Sequence, residues 1–340
     1  HCWVRLGAVS LPSDVITTFV MLGGEIGVTT FFLLSGYGIY FSLFKMEQRG
    51  KLQFFPFIKR RLKRILPQYY LNICVVLMFT DAAAYLDKTH IHNIVMHFLL
   101  INNLSIDTAG AINGVLWTMA VIFQFYVLAI PIYKLLRKNG YLCVILSVII
   151  TVFCKKVFFH WVIPWCYGNE DYMAYSFWLG RNMLSSVLDN FVMGMWVAHL
   201  SIKSRKIKKN TTAIIGSIAC GIFLFCICKI GIRCGIHTDN LSGYVWHSIL
   251  AFDISLIMYL SSQMKCEHKN IFSAIILSIA RNEYGIYLWH LILIDNLIKN
   301  VTIIQKWLEI KHYFKAGMVL VLLSIVVGIV ITKLTERSTR

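Results

Sequence analysis

The sequence predicts an all-α membrane protein, a polytopic bundle of helices that cross a bilayer many times. Apolar and aromatic residues make up 58% of the 340 residues, against about 45–50% in soluble domains. Only 14% of the residues are charged, where about 25% is usual. The mean hydropathy is +0.67. These values exclude a soluble enzyme, a disordered chain, a collagen-like protein and a coiled coil.

The individual spans are predicted from stretches of about 20 mostly apolar residues, the length that crosses the hydrocarbon layer. Nine such stretches follow one another at 24–44, 65–84, 115–135, 140–160, 180–200, 212–232, 244–263, 272–294 and 316–333. No linker rich in glycine and serine and no repeat of fixed period separates them. Residues 1–340 are therefore expected to form a single transmembrane domain.

The basic residues predict which side of the membrane each loop faces, because Lys and Arg collect in short cytoplasmic loops. The loops 45–64, 134–140, 203–209, 265–269 and 333–340 hold 21 basic residues, and the alternate set holds 11. The C-terminus is then cytoplasmic and residues 1–23 face outward. Since residues 1–23 face outward, an odd number of spans, most simply one, is expected upstream of His1. The full chain would then have about ten spans. The same loops account for the net charge of +17, so we expect no nucleic-acid partner.

Ionisable residues in or beside the spans carry most of the functional signal, because a charge in a bilayer costs at least about 2.5 kcal/mol. Arg181 and Asp189 are eight residues apart, which places them on one side of a continuous helix as a candidate pair. Arg281 and Glu283 are interpreted as snorkelling to the cytoplasmic face. Such groups indicate a transport pathway as readily as a catalytic site. The full set is Glu25, His97, Lys155, Lys156, Arg181, Asp189, His199, Asp253, Arg281, Glu283 and His290.

Two clusters of polar residues have a spacing that could bind a ligand. The run KRRLKR at 59–64 suits lipid headgroups, or a polyphosphate gripped by Arg side chains. His90, His92 and His97 have a spacing typical of metal ligands, but only Asp87 could complete their site. We therefore predict no metal, and nothing indicates a flavin or a nucleotide-binding fold.

Four short segments occur in order along the chain. They are GVTTFFLLSGY at 27–37, FIKRRLKRILP at 57–67, LWTMAVIFQFYVLAIP at 116–131 and YGIYLWH at 284–290. Together they resemble the acyltransferase-3 family of integral-membrane O-acyltransferases, whose patterns read roughly GVdlFFvlSGy, FxxxRxxRIxP, LWxLxxExqFYxxxP and YgiYLWH. Each pattern alone is weak, but the four span most of the chain.

The resemblance implies an acyltransferase, most simply an O-acetyltransferase. Its members commonly move acetyl from cytoplasmic acetyl-coenzyme A to a sugar hydroxyl of a surface or exported polysaccharide, or of its lipid-linked precursor. Acetyl-coenzyme A would be the acyl-donor co-substrate. The expected partners are a coenzyme A thioester, a glycan acceptor and membrane lipid.

The resemblance also implies residue roles. The family's first span ends in an essential His, and His1 stands at that place as the expected base, with a role as acyl carrier as the alternative. Arg61 and Arg64 match the family's RxxR and are expected to hold coenzyme A phosphates. Ser35 and Gly36 would admit the pantetheine arm, or serve helix packing alone. The expected substrate-binding residues are Trp117, Gln124, Tyr126, Tyr287 and His290.

The third segment departs from the family pattern. Ile122 stands where the family often has Glu, and Thr29 stands where it often has Asp. Glu25 and Asp14 are the candidates to supply another acid. Two rival hypotheses stay open: a transporter or flippase for a glycan or carrier lipid, and a catalytically inactive scaffold.

Overall fold

The predicted fold class is confirmed by a computed structural model of the chain, which describes residues 14–79, 91–168, 171–203, 210–264, 271–309 and 313–338. The described part is helical throughout, with turns and no strand. The helices are α1 Asp14–Met21, α2 Gly23–Gln48, α3 Phe54–Phe79, α4 Ile91–Phe98, α5 Ile106–Ala109, α6 Trp117–Lys138, α7 Gly140–Val157, α8 Tyr172–Asn182, α9 Leu188–Lys203, α10 Asn210–Cys234, α11 Leu241–Gln263, α12 Ile271–Arg281, α13 Glu283–Asn300, α14 Thr302–Glu309 and α15 Tyr313–Ser338. A π-helical segment, Phe158–Tyr167, continues α7.

Six helices in the described residues are long and apolar enough to cross a membrane. They are Gly23–Gln48, Trp117–Lys138, Gly140–Tyr167, Ile214–Cys234, Leu241–Gln263 and Lys315–Thr335. Among the described residues this measure gives six spans where the sequence predicts nine, because 65–79, 180–200 and 272–294 form no helix that meets it. The helix α3 is 26 residues long, but it contains the basic run at 59–64.

Two of the predicted spans are interrupted by a break in the helix. The stretch 180–200 is broken because Met183 adopts an extended conformation, and Ser186 Oγ donates a hydrogen bond to the Leu179 carbonyl near the end of α8. The stretch 272–294 is broken at Asn282, whose side-chain amide donates to the Ser278 carbonyl. The side chains of Ser186 and Asn282 thus each bond a carbonyl that the end of a helix would otherwise leave without a partner.

The described residues fall into two compact units, one within 1–21, 59–119 and 267–340 and the other within 22–58 and 120–266. In the second unit, α2 packs most closely against α9. A Cβ added at Gly36 would lie 2.1 Å from the Phe191 carbonyl oxygen, and one at Gly194 would lie 2.0 Å from that of Leu33. The two glycines therefore let the helix backbones touch.

In the first unit, α13 packs against α15. A Cβ at Gly285, within YGIYLWH, would lie 1.9 Å from Thr332 Oγ1 and 2.8 Å from the Gly328 carbonyl oxygen. A buried amide pair fixes the same helix, because Asn72 and Asn113 both donate to the Leu288 carbonyl, at 3.1 and 3.2 Å. The glycine of this segment is thus explained by close helix packing.

Candidate active site

A basic cleft of about 130 Å³ lies in the first unit. Three of its eight lining residues are exposed cations, Lys63, Arg64 and Arg281, and none of the eight is acidic. The remaining residues are Pro67, Gln68, Tyr284, Thr332 and Thr335. Two of the sequence segments therefore meet here, since Lys63, Arg64 and Pro67 belong to FIKRRLKRILP and Tyr284 opens YGIYLWH. Such a concentration of cations suits an anionic, phosphate-bearing ligand.

Hydrogen bonds hold the cleft together. Tyr284 donates its hydroxyl to the Ile65 carbonyl at 2.9 Å, which ties α13 to α3. The Thr332 hydroxyl donates a hydrogen bond to the Gly328 carbonyl at 2.8 Å. Gln68 is buried, and its Oε1 has no hydrogen-bond partner in the described part of the chain. The walls thus offer exposed cationic donors and one buried, unsatisfied acceptor.

The cleft refines two predictions. Arg64 lines it, whereas Arg61, which is half-buried on the same helix, is not one of the lining residues. Arg281, interpreted from sequence as a snorkelling residue, faces the same space as Arg64. The sequence alone did not predict that Arg281 lines the same cleft as Arg64. Helix packing brings the two together from segments more than 200 residues apart.

A buried cluster of charged and imidazole groups lies in the second unit around Glu25, near the start of α2. Glu25 Oε1 lies 3.2 Å from an Arg181 guanidinium nitrogen and 3.6 Å from His237 Nε2. Glu25 Oε2 lies 3.1 Å from His247 Nε2. Glu25, His237 and His247 are each at most 7% exposed. The carboxylate is therefore surrounded by three nitrogen groups on separate elements: α8, the loop before α11, and α11.

The cluster continues through Lys155 and Asp189, which are fully buried. Lys155 lies near enough to Asp189 and Glu25 for their charges to interact. The backbone N–H of Asp189 donates to Thr151 Oγ1 at 3.3 Å, which joins α9 to α7. Two basic side chains, Arg181 and Lys155, thus lie near two carboxyl groups, Glu25 and Asp189, in a buried region.

The predicted pairing of Arg181 with Asp189 is wrong. The break between α8 and α9 removes the continuous helix on which that pairing depended. Arg181 instead reaches Glu25, and its guanidinium lies 3.8 Å from the centre of the Phe177 ring. Glu25 was a sequence candidate for an acid. His237 and His247 were not, because a loop histidine and a helical one ten residues later show no recognised spacing.

The other predicted site residues lie as follows. Gly36 contacts the backbone of α9, which gives it a packing role, and Ser35 beside it is half-buried. Trp117 and Tyr126 are buried, Gln124 is half-buried, and the Tyr126 ring meets Phe57 edge-on. His290 and Tyr287 are half-buried, with His290 Nδ1 2.6 Å from the Tyr287 carbonyl oxygen. Their binding roles stay predictions.

Three residues of the sequence analysis, His1, Asp87 and His90, lie outside the described residues. The side chain of Asp14 is also outside them. His92 is exposed and His97 is buried. His97 Nδ1 lies 2.7 Å from the Asn93 carbonyl oxygen, one turn earlier on α4.

The family model for the acyltransferase domain named acyltransferase-3 matches residues 1–333. The chain belongs to the acyltransferase-3 family. The match extends over nearly the whole sequence and confirms the resemblance inferred from the four segments. It also agrees with the apolar helices in assigning the chain to multi-pass membrane acyltransferases.

Relatives with a described activity match a shorter part of this acyltransferase-3 chain. The O-acetyltransferase OatA of Staphylococcus aureus is 49% identical over 59 residues in strains NCTC 8325 / PS 47, COL and MRSA252. These 59 residues are 17% of this chain and 10% of each OatA protein. The match thus covers a tenth of the length of those relatives. No solved structure matches the chain.

Proposed function

We propose that this protein is a membrane O-acetyltransferase that moves acetyl from acetyl-coenzyme A to a hydroxyl of a surface or exported polysaccharide, or of its lipid-linked precursor. The observation that carries the proposal is the basic cleft, where two family segments supply Lys63, Arg64 and Tyr284 to one cation-rich space. Coenzyme A carries phosphate groups that such a space would bind. The local match to OatA supports acetyl as the group transferred.

The chemistry needs one base and one leaving group. The acceptor oxygen forms a bond to the acyl carbon while the carbon–sulfur bond of the thioester breaks. The hydroxyl proton passes to the His1 imidazole, and from there to the coenzyme A sulfur, so that the products are an ester and a free thiol. Imidazole suits this transfer because it titrates near neutral pH.

The proposal includes an orientation. The cleft joins residues of two loops rich in Lys and Arg, Lys63 and Arg64 of 45–64 and Thr335 of 333–340, and we assign both loops to the cytoplasmic side. Lys63 and Arg64 belong to the first of these loops in the sequence, so the donor would enter the cleft from the side on which acetyl-coenzyme A is made. The glycan would approach from the opposite side.

The experiment is acetyl transfer in membranes that contain the full-length protein. We expect label from acetyl-coenzyme A to appear as alkali-labile ester on the glycan. Arg64→Ala should raise the KM for acetyl-coenzyme A at least tenfold. Arg60→Ala, which removes an exposed cation of the same helix that does not line the cleft, should leave the KM unchanged. Equal KM values for the two variants would refute the cleft as the donor site.

The inactive-scaffold alternative has one observation in its favour. Ile122 is buried in α6 where the family often carries Glu, and α6 contains no acidic residue. Ester formation that depends on His1 would exclude this alternative. Glycan O-acetylation that is lost on deletion of the protein but kept in the His1→Ala variant would move the base to another residue.

A further inference from the structure

The Glu25 cluster contains the donor set of a metal site. Among the described residues, Glu25, His237 and His247 each offer one ligand atom, and these atoms all lie within 4.8 Å of one another. The residues come from α2, from the loop before α11, and from α11. Two imidazoles and one carboxylate are a set that binds Zn²⁺ in proteins.

The separations between the donor atoms fit a single small cation. Metal bonds of about 2.0–2.2 Å in tetrahedral geometry place neighbouring ligand atoms about 3.3–3.5 Å apart. Glu25 Oε2 lies 3.1 Å from His247 Nε2, Glu25 Oε1 lies 3.6 Å from His237 Nε2, and the three ligand atoms all lie within 4.8 Å of one another. A cation could therefore be held once these side chains move by up to about an ångström toward a common centre.

His237 supplies a second, independent observation. Its side chain is 6% exposed, yet neither ring nitrogen has a hydrogen-bond partner in the described part of the chain. A buried polar atom without a hydrogen-bond partner is destabilising, because it has lost water and gained nothing in return. A cation bound at Nε2 would satisfy one of these nitrogens, whereas the 3.6 Å separation from Glu25 is too long for a hydrogen bond.

The positive charge of Arg181 is compatible with a cation at this place. Arg181 contacts Glu25 Oε1, so Oε2 stays available as the ligand atom. Carboxylates that bind metals are usually held by a hydrogen bond to their other oxygen, which is the arrangement of this pair. The second buried cation, Lys155, interacts electrostatically with Asp189 as well as with Glu25.

We propose that Glu25, His237 and His247 bind a divalent cation of the zinc type, with the fourth coordination position open. The site connects the N-terminal end of α2, the 235–240 loop and the start of α11. It does not depend on the proposed transferase activity, and its tests have readouts other than transfer.

The test uses the full-length protein, purified in detergent, stripped with a chelator and titrated with Zn²⁺. Elemental analysis should find about one zinc per chain. His237→Ala and Glu25→Gln should each weaken binding at least 100-fold, while the matched control His92→Ala, an exposed histidine, should bind as the parent does. His237→Cys should keep the metal, because a thiolate replaces the imidazole as a ligand.

The ten cysteines of the chain could bind zinc elsewhere, so Co²⁺ provides the second measurement. Cobalt at this cluster should give the visible bands of a tetrahedral site without the near-ultraviolet absorption of a cobalt–thiolate bond, and His237→Cys should add that absorption. A monodisperse parent protein that binds no zinc would overturn the proposal. A His237→Ala variant that binds zinc as tightly as His92→Ala would also overturn it.

Discussion

The guanidinium of Arg181 lies 3.2 Å from Glu25 Oε1, although 156 residues separate the two along the chain. The Arg181 and Glu25 side chains are only 13% and 8% exposed. The pair therefore joins α8 to the start of α2 inside the second unit. Removing one partner leaves the other as an uncompensated buried charge, which is far more costly than losing an exposed ion pair.

Replacing Arg181 by Leu should destabilise the protein by about 3–5 kcal/mol, because the Glu25 carboxylate would lose its cation in a buried site. Thermal unfolding in detergent measures this. The double variant Arg181→Leu, Glu25→Gln should recover more than half of the loss, since it no longer buries a charge at position 25. Additive effects of the two substitutions would contradict the pairing.

Gly36→Ala should unfold or strongly destabilise the protein, because its Cβ would lie 2.1 Å from the Phe191 carbonyl oxygen, a backbone atom that cannot rotate away. The matched control is Gly38→Ala, two residues along the same helix, where nothing lies within 4 Å of an added Cβ. That control should be neutral or stabilise the helix by up to about 1 kcal/mol. Equal yields and melting temperatures for the two variants would refute the close contact of α2 with α9.

Gly285→Ala should weaken coenzyme A binding, because its Cβ would collide with Thr332 Oγ1 and the Gly328 carbonyl oxygen and push α13 away from α15. Tyr284 and Thr332, which line the cleft, would move with those helices. Isothermal titration with coenzyme A measures the effect, and Gly110→Ala, with open space around its Cβ, is the control. If Gly285→Ala binds coenzyme A with unchanged affinity, binding in the cleft does not depend on the packing of α13 against α15.

His97 should make stability depend on pH. Burial lowers the pKa of His97 from its ordinary 6.5 to about 4. Between these values the unfolded chain binds the proton and the folded protein does not, so stability falls as the pH falls from 6.5 to 4. The loss should approach about 3 kcal/mol near pH 4, and all of the stability should be present above pH 6.5.

Melting temperatures across pH 4–7 test this dependence. His97→Phe, which carries no titrating group, should flatten the slope over that interval, while the exposed His92→Ala should keep the parent's slope. A parent protein whose melting temperature does not change between pH 6.5 and 4.5 would contradict the assignment.

The fold class and the family could be predicted from the sequence, because apolar composition decides membrane insertion and the four segments keep their order. The span count could not, because hydropathy does not register a break such as Asn282, where a side chain replaces a backbone hydrogen bond. One residue that lines the cleft, Arg64, was among the predicted site residues, and its role in binding coenzyme A stays a prediction. The positions of Arg281 and of the pair His237 and His247 depend on contacts between distant segments, which no local pattern encodes.

The most direct test of the central claim is the O-acyl content of the producing cell's surface glycan. It should be compared among cells with the full-length protein, cells that lack it, and cells with the Arg64→Ala, Arg281→Ala double variant, with Arg60→Ala as the control. We predict that ester is lost in the deletion, reduced at least tenfold in the double variant, and unchanged in the control. Ester content that is the same in all four strains would contradict an O-acetyltransferase and favour a transport function.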